Sequence, residues 1–329
     1  MNSAATLAPS LAPRSGEQTL EVRLRAIVWE APGVVSLELT APDGSPLPAF
    51  EPGAHIDLKL PNGTMRQYSL CGDPNDLSRY RVGIRAITGG ASSSFIHQKL
   101  RPGDLVTVST PRNNFPLVEA KNYIFVAGGI GVTPFIPMMR ETSAKGKPWT
   151  LVYCNRRNED APFLAEIEAL DNGTVSLHST EAGTRLDVAQ RFSGVQKDTV
   201  VYCCGPEKLM TAVEEATASW PEGSIHFEWF TPRSRPADET SGAFEVVCEQ
   251  SGVTVTVPPD RSILSALADA GVNVPCSCEQ GICGTCETAI VSGEADHRDS
   301  ILSSSERAAN RTMMICVSRA KGSRLVLDI

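Results

Sequence analysis

Three cysteines, Cys278, Cys283 and Cys286, stand in C-x4-C-x2-C spacing, and a fourth, Cys316, follows after 29 intervening residues. Thiolates are soft ligands for iron or zinc. Three from one tight loop and one from a distant return form the plant-type arrangement for a [2Fe–2S] cluster. Gly281 and Gly284 allow the backbone to bend closely around an inorganic core. Four thiolates also suit structural zinc, but zinc sites come as two short C-x2–4-C pairs rather than three plus one. Only Cys278 leaves four residues before Cys283, so Cys276 is read as a small buried hydrophobe beside the cluster.

A second group of residues suits a flat, phosphorylated cofactor. Arg66-Gln67-Tyr68-Ser69 offers a guanidinium for a charge-assisted phosphate contact and a ring to lie against a heterocycle. Gly89-Gly90-Ala91-Ser92-Ser93 feeds a helix start, where backbone N–H groups and the dipole favour an anion. Each stretch taken alone also reads as an ordinary turn or strand; their occurrence in one region favours the functional reading.

A third group follows an apolar strand. Tyr123–Ala127 runs into Gly128-Gly129-Ile130-Gly131-Val132-Thr133-Pro134 and then an apolar helix. Strand, glycine turn and helix is the architecture that receives a pyrophosphate. The motif is not G-x-G-x-x-G, and close strand–helix packing is its simpler explanation. Cys204-Gly205-Pro206 ends a later apolar strand in the same manner. Cys154-Asn155-Arg156-Arg157 follows the second strand of this region, where an arginine meets a 2′-phosphate or lies along the adenosine.

The remaining elements must position these groups. Alternating segments at 19–30, 34–39, 54–60, 80–86 and 105–109, with Gly/Pro turns, predict an antiparallel β-barrel interrupted by a helix at 92–100 opened by serines. Between 116 and 230, strands at 123–127, 149–153, 175–178 and 198–203 alternate with helices at 135–139, 161–170 and 207–218, which predicts a doubly wound parallel sheet of α/β type. A polar segment with two prolines, 231–242, reads as a linker. From 243 onward a hairpin, a helix beginning at Ser262 and stopping at Gly271, the cysteine loop and closing strands suggest an α+β unit. The chain is thus multidomain: a mobile tail at 1–17, a barrel at 18–115, an α/β domain at 116–230, a linker at 231–242 and a terminal domain at 243–329.

The chain has 329 residues and a formal net charge of −8, which argues against nucleic acid and anionic membrane as partners. No apolar run approaches the ~18 residues of a membrane span, and the first residues lack the apolar core of a signal peptide. Ten cysteines in a chain of this length do not make a disulfide framework; free thiols and a cluster fit a reducing cytoplasm. The histidines, His55, His97, His178, His226 and His297, are scattered and are read as structural or surface residues.

Taken together, the Arg66–Ser69, Gly128–Pro134, Cys204–Pro206 and four-cysteine motifs resemble the phthalate dioxygenase reductase family, over essentially the whole chain after the tail. The resemblance implies an FMN-binding barrel, an NAD domain and a β-grasp ferredoxin module. It implies a reductase that takes hydride from NADH onto FMN and passes single electrons through [2Fe–2S] to a terminal Rieske-type oxygenase; nothing in the sequence demands more than a monomer. It implies that Arg66 and Gly89–Ser93 hold the FMN phosphate, that Tyr68 and Ser69 lie along the ring with Gln67 between motif residues, and that Gly128, Gly129, Gly131 and Thr133 face the NAD pyrophosphate. Cys204, followed by Gly205 and Pro206, lies near the nicotinamide; Arg156 is placed at the adenosine end and Phe227 beside the flavin. Ser69 and Cys204 are then the catalytic pair, and Cys278, Cys283, Cys286 and Cys316 the iron ligands. The surface around Gly281–Thr285 is expected to meet the partner, and the linker to let the ferredoxin module swing. A diiron monooxygenase as acceptor, or a zinc-stapled flavin reductase without a cluster, are the competing readings.

Overall fold

The computed structural model describes residues 18–194, 196–234 and 242–329. The 1–17 tail and most of the 231–242 linker lie outside the described residues.

The first domain is a six-stranded antiparallel sheet in the order β4-β3-β6-β1-β2-β5. Its strands are β1 (Thr19–Ala31), β2 (Val34–Thr40), β3 (His55–Lys59), β4 (Met65–Ser69), β5 (Tyr80–Arg85) and β6 (Leu105–Ser109), with α1 (Ala91–Gln98) between the last two. A bridge between Leu70 and Val82 joins the two edges into a barrel. Closure removes the exposed sheet edges. Inward residues such as Val22, Leu37, Ile56, Leu58 and Val82 fill one core, as the period-2 alternation of their strands requires. The N-cap of α1 is Gly90, with no side-chain cap, so the serines expected to open this helix do not do so.

The second domain is a five-stranded sheet in the order β11-β10-β7-β8-β9, parallel throughout. It contains β7 (Asn122–Gly128), α2 (Phe135–Ala144), β8 (Trp149–Asn155), α3 (Leu164–Glu168), β9 (Gly173–Ser179), α4 (Val188–Arg191), β10 (Thr199–Cys204), α5 (Glu207–Ala216) and β11 (Ile225–Glu228). One apolar cluster covers each face: Phe125, Phe135 and Cys204 on one, Val126, Cys203 and Trp229 on the other. The expected helix at 161–170 is short. Phe163 takes a left-handed φ of 62° and lies under the Arg81 guanidinium of the barrel, 4.8 Å from ring centroid to Cζ, so the helix begins only after it.

The third domain holds β12 (Phe244–Cys248), β13 (Thr254–Val257), α6 (Ile263–Asp269), β14 (Glu287–Ser292), β15 (Ala295–Asp296), α7 (Ser304–Ala309), β16 (Thr312–Met314), β17 (Arg319–Ala320) and β18 (Arg324–Leu327). The main sheet runs β13-β12-β18-β14-β16, with β12 and β18 parallel. Ser262 caps α6 by accepting from the Ser265 N–H, and Gly271 ends it with φ 79°. Ile263, Leu264 and Leu267 then pack on the sheet, which gives a β-grasp unit.

The barrel and the parallel sheet share one continuous apolar cluster, in which Cys71 and Phe115 join Phe125, Phe135 and Tyr202. Arg81 on β5 reinforces the seam, reaching Glu166 at 2.6 Å and Glu30 at 2.9 Å. Gly83, also on β5, permits the approach: a Cβ there would lie 2.7 Å from Thr133 Cγ2.

Candidate functional site

The flavin motif lies on the β3–β4 hairpin, where His55 faces Ser69, Ile56 faces Tyr68, Asp57 faces Gln67 and Leu58 faces Arg66. Ile56 is in the barrel core, so the alternating residues His55, Asp57, Gln67 and Ser69 share the outer face. Tyr68 packs on the barrel core, and burial pushes its hydroxyl up to about 12, opposed by Arg66. Arg66 is exposed, with Nη1 donating to its neighbour's carbonyl, Met65 O, at 2.7 Å.

Two buried polar atoms at motif positions have no partner: Gln67 Nε2 and Ser92 Oγ. Leaving such groups unpaired costs free energy, and a ligand with acceptors and a phosphate supplies what they lack. Ser93 differs, because its hydroxyl already accepts from the Ile87 N–H at 3.1 Å. Gly89 holds the turn at φ 75°, and Ala91 begins α1. The residues present therefore fit a phosphorylated flavin.

At the carboxyl ends of β7 and β10 the sheet order reverses, the place where ligands of such sheets bind. The glycines there serve close packing of two loops. A Cβ on Gly128 would meet Pro206 Cδ at 2.3 Å, and one on Gly131 would meet the Cys204 carbonyl at 2.4 Å. A Cβ on Gly205 would meet the Gly128 N at 2.9 Å, and Gly129 takes φ 53°. Thr133 is buried and donates to the Ile130 carbonyl at 3.0 Å, while its methyl rests over Gly83. At the end of β8, both side-chain polar atoms of Asn155 are buried without a partner. Arg156 next to it is 78 % exposed and pairs with Glu181 at 2.8 Å.

Between these two regions sits a residue that sequence reading missed. Glu228, at the end of β11, is paired in register with Cys204 and accepts from Ser69 Oγ at 3.3 Å. Burial pushes its carboxyl up to about 8, with the Ser69 hydrogen bond opposing. Burial, then Glu228 and Cys203, hold the Cys204 thiol well above its usual range. Ser69, Cys204 and Glu228 therefore form a neutral polar seam between barrel and sheet. Phe227 packs with Trp229 and Cys203, on the face of β11 opposite to Glu228; the structure does not bring it to Ser69. The sequence signal for Glu228 was one acid flanked by Phe227 and Trp229 in a strand that also carries His226.

In the cysteine loop Glu279, Gly281 and Gly284 all take positive φ, 53°, 68° and 74°, which turns the chain around its own sulfurs. The Gln280 N–H donates to Cys278 Sγ at 3.3 Å. Cys278 neighbours Cys283 and Cys316, and these contacts push it down towards the thiolate. Cys286 is pushed down to about 4 by Cys276 and then Cys316. Among the described residues no three His, Cys, Asp or Glu side chains surround one point suited to a single metal ion. Cys278 stands beside Cys283 and Cys316, and Cys286 beside Cys276 and Cys316, so the cysteines of the three-plus-one spacing gather at one loop as a soft thiolate donor set that fits an iron–sulfur cluster. Cys276 packs half-buried against the domain core beside Cys286.

Across the stretch expected to meet a partner, Gly281 and Cys283 are buried and Ile282, Gly284 and Thr285 half-buried. Gly281 packs against Val317 and Asp299, Ile282 joins the apolar cluster of the parallel sheet, and the Cys283 carbonyl accepts from Asn114 Nδ2 at 2.5 Å. Ile282, Cys283 and Gly284 thus meet the other two domains, while Gly281 packs within its own. Of the histidines, His55 is buried at this junction and desolvation, followed by Arg112, lowers it to about 4; His226 stacks on Tyr202 at 4.9 Å.

Family models match the three parts in order: an oxidoreductase FAD-binding domain over residues 33–116, an oxidoreductase NAD-binding domain over 125–215 and a 2Fe-2S iron-sulfur cluster binding domain over 246–321. Phthalate dioxygenase reductase from Burkholderia cepacia is 43 % identical over 301 residues, 89 % of this chain and 92 % of the relative. A carnitine monooxygenase reductase subunit from Escherichia coli K12 is 40 % identical over 96 % of this chain and all of its own. The solved structure of a phthalate dioxygenase reductase, described as modular for electron transfer from pyridine nucleotides to [2Fe–2S], superposes with a TM-score of 0.68, covering 94 % of this chain and 98 % of its own at 40 % identity. A self-sufficient cytochrome P450 monooxygenase matches with a TM-score of 0.86 and 37 % identity over 94 % of this chain, which spans 41 % of that larger enzyme. The chain belongs to the phthalate dioxygenase reductase family, as a three-domain oxidoreductase that moves electrons from a nicotinamide nucleotide through a flavin to a [2Fe–2S] cluster.

Proposed function

We propose that the protein is the reductase component of a two-component Rieske-type oxygenase, using NADH and FMN and acting as a monomer in the cytoplasm. The observation that carries this reading is the direct contact of the three sites: Ser69 on Glu228 joins flavin hairpin to nucleotide sheet, and Asn114 on the Cys283 carbonyl joins barrel to cluster loop. The full-length relatives named above are oxygenase reductases.

Once bound, the flavin accepts a hydride and releases electrons singly, and the iron–sulfur centre carries them one at a time. The protein supplies position. Arg66, exposed at the barrel rim, and the Gly89–Ser92 turn hold the FMN phosphate. Tyr68, Gln67 and Ser69 lie along the ring. Gly128, Gly129, Gly131, Gly205 and Pro206 let the nucleotide approach the strand ends, with Thr133 bracing this loop against the barrel. Cys204 and Glu228, both neutral at pH 7, line the nicotinamide seat without placing a charge where hydride passes. FMN rather than FAD rests on the module order, ferredoxin last.

NADH rather than NADPH is supported by Glu181. It occupies Arg156 and sets a carboxylate where a 2′-phosphate would otherwise find a free cation. Cys278, Cys283, Cys286 and Cys316 hold the cluster.

The test combines the anaerobically purified protein with candidate Rieske oxygenases and measures product formed per NADH consumed. Coupled turnover with FMN recovered from the protein supports the reading; flavin reduction without transfer to any such oxygenase removes it.

A further inference from the structure

The outer face of the β3–β4 hairpin serves two neighbours at once. Ser69 meets the nucleotide domain through Glu228, and Asp57, on the same face, meets the iron–sulfur domain. Asp57 Oδ2 accepts from Ser277 Oγ at 2.7 Å, across 220 positions of sequence, and from Arg112 Nη2 at 2.7 Å. Ser277 immediately precedes the ligand Cys278. The Asp57 side chain is only 3 % exposed, and its other oxygen is buried without a partner. Its backbone N–H is fixed by Ser109 Oγ at 2.9 Å. A buried carboxylate with one unsatisfied oxygen is a poor device for stability alone. Two residues beyond Arg112, Asn114 donates to the carbonyl of the ligand Cys283, and its amide sits over Gly284, whose missing Cβ would lie 2.8 Å from Nδ2.

We propose that Asp57, Ser277 and Asn114 form a polar latch that sets the iron–sulfur loop against the flavin barrel for intramolecular electron transfer. This rests on the flavin-to-cluster reading above. The three are positioning residues: a single electron leaves the flavin and one ferric iron becomes ferrous, and no bond or proton crosses the latch. Both ligand segments, at Cys278 and at Cys283, are gripped by the barrel, so the loop keeps one orientation. Transfer between redox centres depends steeply on their separation. Releasing the grip therefore slows the second step and leaves hydride transfer alone.

The experiment uses the complete protein with flavin and cluster loaded and compares wild type, S277A, S277T, N114A and the S277A/N114A double variant. Anaerobic stopped-flow with NADH reads flavin and cluster bleaching separately, normalised to iron and sulfide content. Amide hydrogen exchange over 277–284 and 112–115 is followed in parallel. The expected result is flavin reduction within about twofold of wild type, cluster reduction slower by about tenfold or more in the double variant, and faster exchange confined to the two segments. S277T, which keeps the hydroxyl, should retain most of the wild-type rate. Unchanged cluster reduction overturns the proposal, as does a parallel loss of flavin reduction, which marks a general defect. Should S277A lose its cluster, N114A and S277T decide by the same criteria. Failure of NADH to reduce the wild-type flavin would instead remove the underlying reading.

Discussion

Ser69 Oγ donates to the Glu228 carboxyl at 3.3 Å across the seam between barrel and nucleotide sheet. Burial raises Glu228 to about 8 from an ordinary value of 4.5. A carboxyl whose folded pKa is raised contributes stability that is fully present below about 4.5 and lost as pH climbs through about 8. The melting temperature of the wild type should therefore fall between about pH 5 and pH 8 more steeply than that of E228Q, which cannot ionise. Thermal melts across this range check it; equal slopes would show that Glu228 is not held neutral.

Gly83 marks the closest approach of barrel and nucleotide loop. G83V forces a branched side chain into Thr133, Ile130 and Phe163. We expect a loss of about 1–3 kcal/mol in urea unfolding, together with slower flavin reduction by NADH. A variant as stable and as fast as wild type would show that the seam adapts.

Arg81 bridges Glu30 and Glu166. Removing it in R81M leaves Glu30 without its cation, while Glu166 keeps Arg140 at 2.7 Å, a loss of about 3 kcal/mol. R81M/E30Q should recover part of that, which a double-mutant cycle measures.

Glu181 restrains Arg156. E181A frees the guanidinium and should raise kcat/KM for NADPH relative to NADH by about tenfold. Steady-state kinetics with both nucleotides decides; no change in the ratio separates Arg156 from the ribose.

C316S should lose iron and acid-labile sulfide, and C276A should retain both, because Cys276 stands beside Cys286 but outside the three-plus-one spacing. Metal analysis and the visible spectrum read both variants. Loss of iron from C276A would make it a ligand.

Local sequence carried a large share of the architecture. The strands of the barrel, the glycine turns after β7 and β10 and the cysteine spacing all obey short-range rules: side-chain alternation, tolerance of positive φ, and the reach of a tight loop around a metal. Helix 161–170 was over-read because the left-handed Phe163 answers to Arg81 of another domain, and no local propensity contains that contact.

The three-plus-one cysteine spacing, the three-domain order and the two nucleotide-type turns were determined by the chain itself, since each depends on local residue order and short spacing. Tertiary structure alone decided that Glu228 is neutral, that Asp57 grips Ser277, and that Ile282 and Cys283 pack against the other two domains. A pKa depends on who desolvates the group and a hydrogen bond across 220 positions depends on how whole domains pack; neither quantity exists until distant surfaces meet.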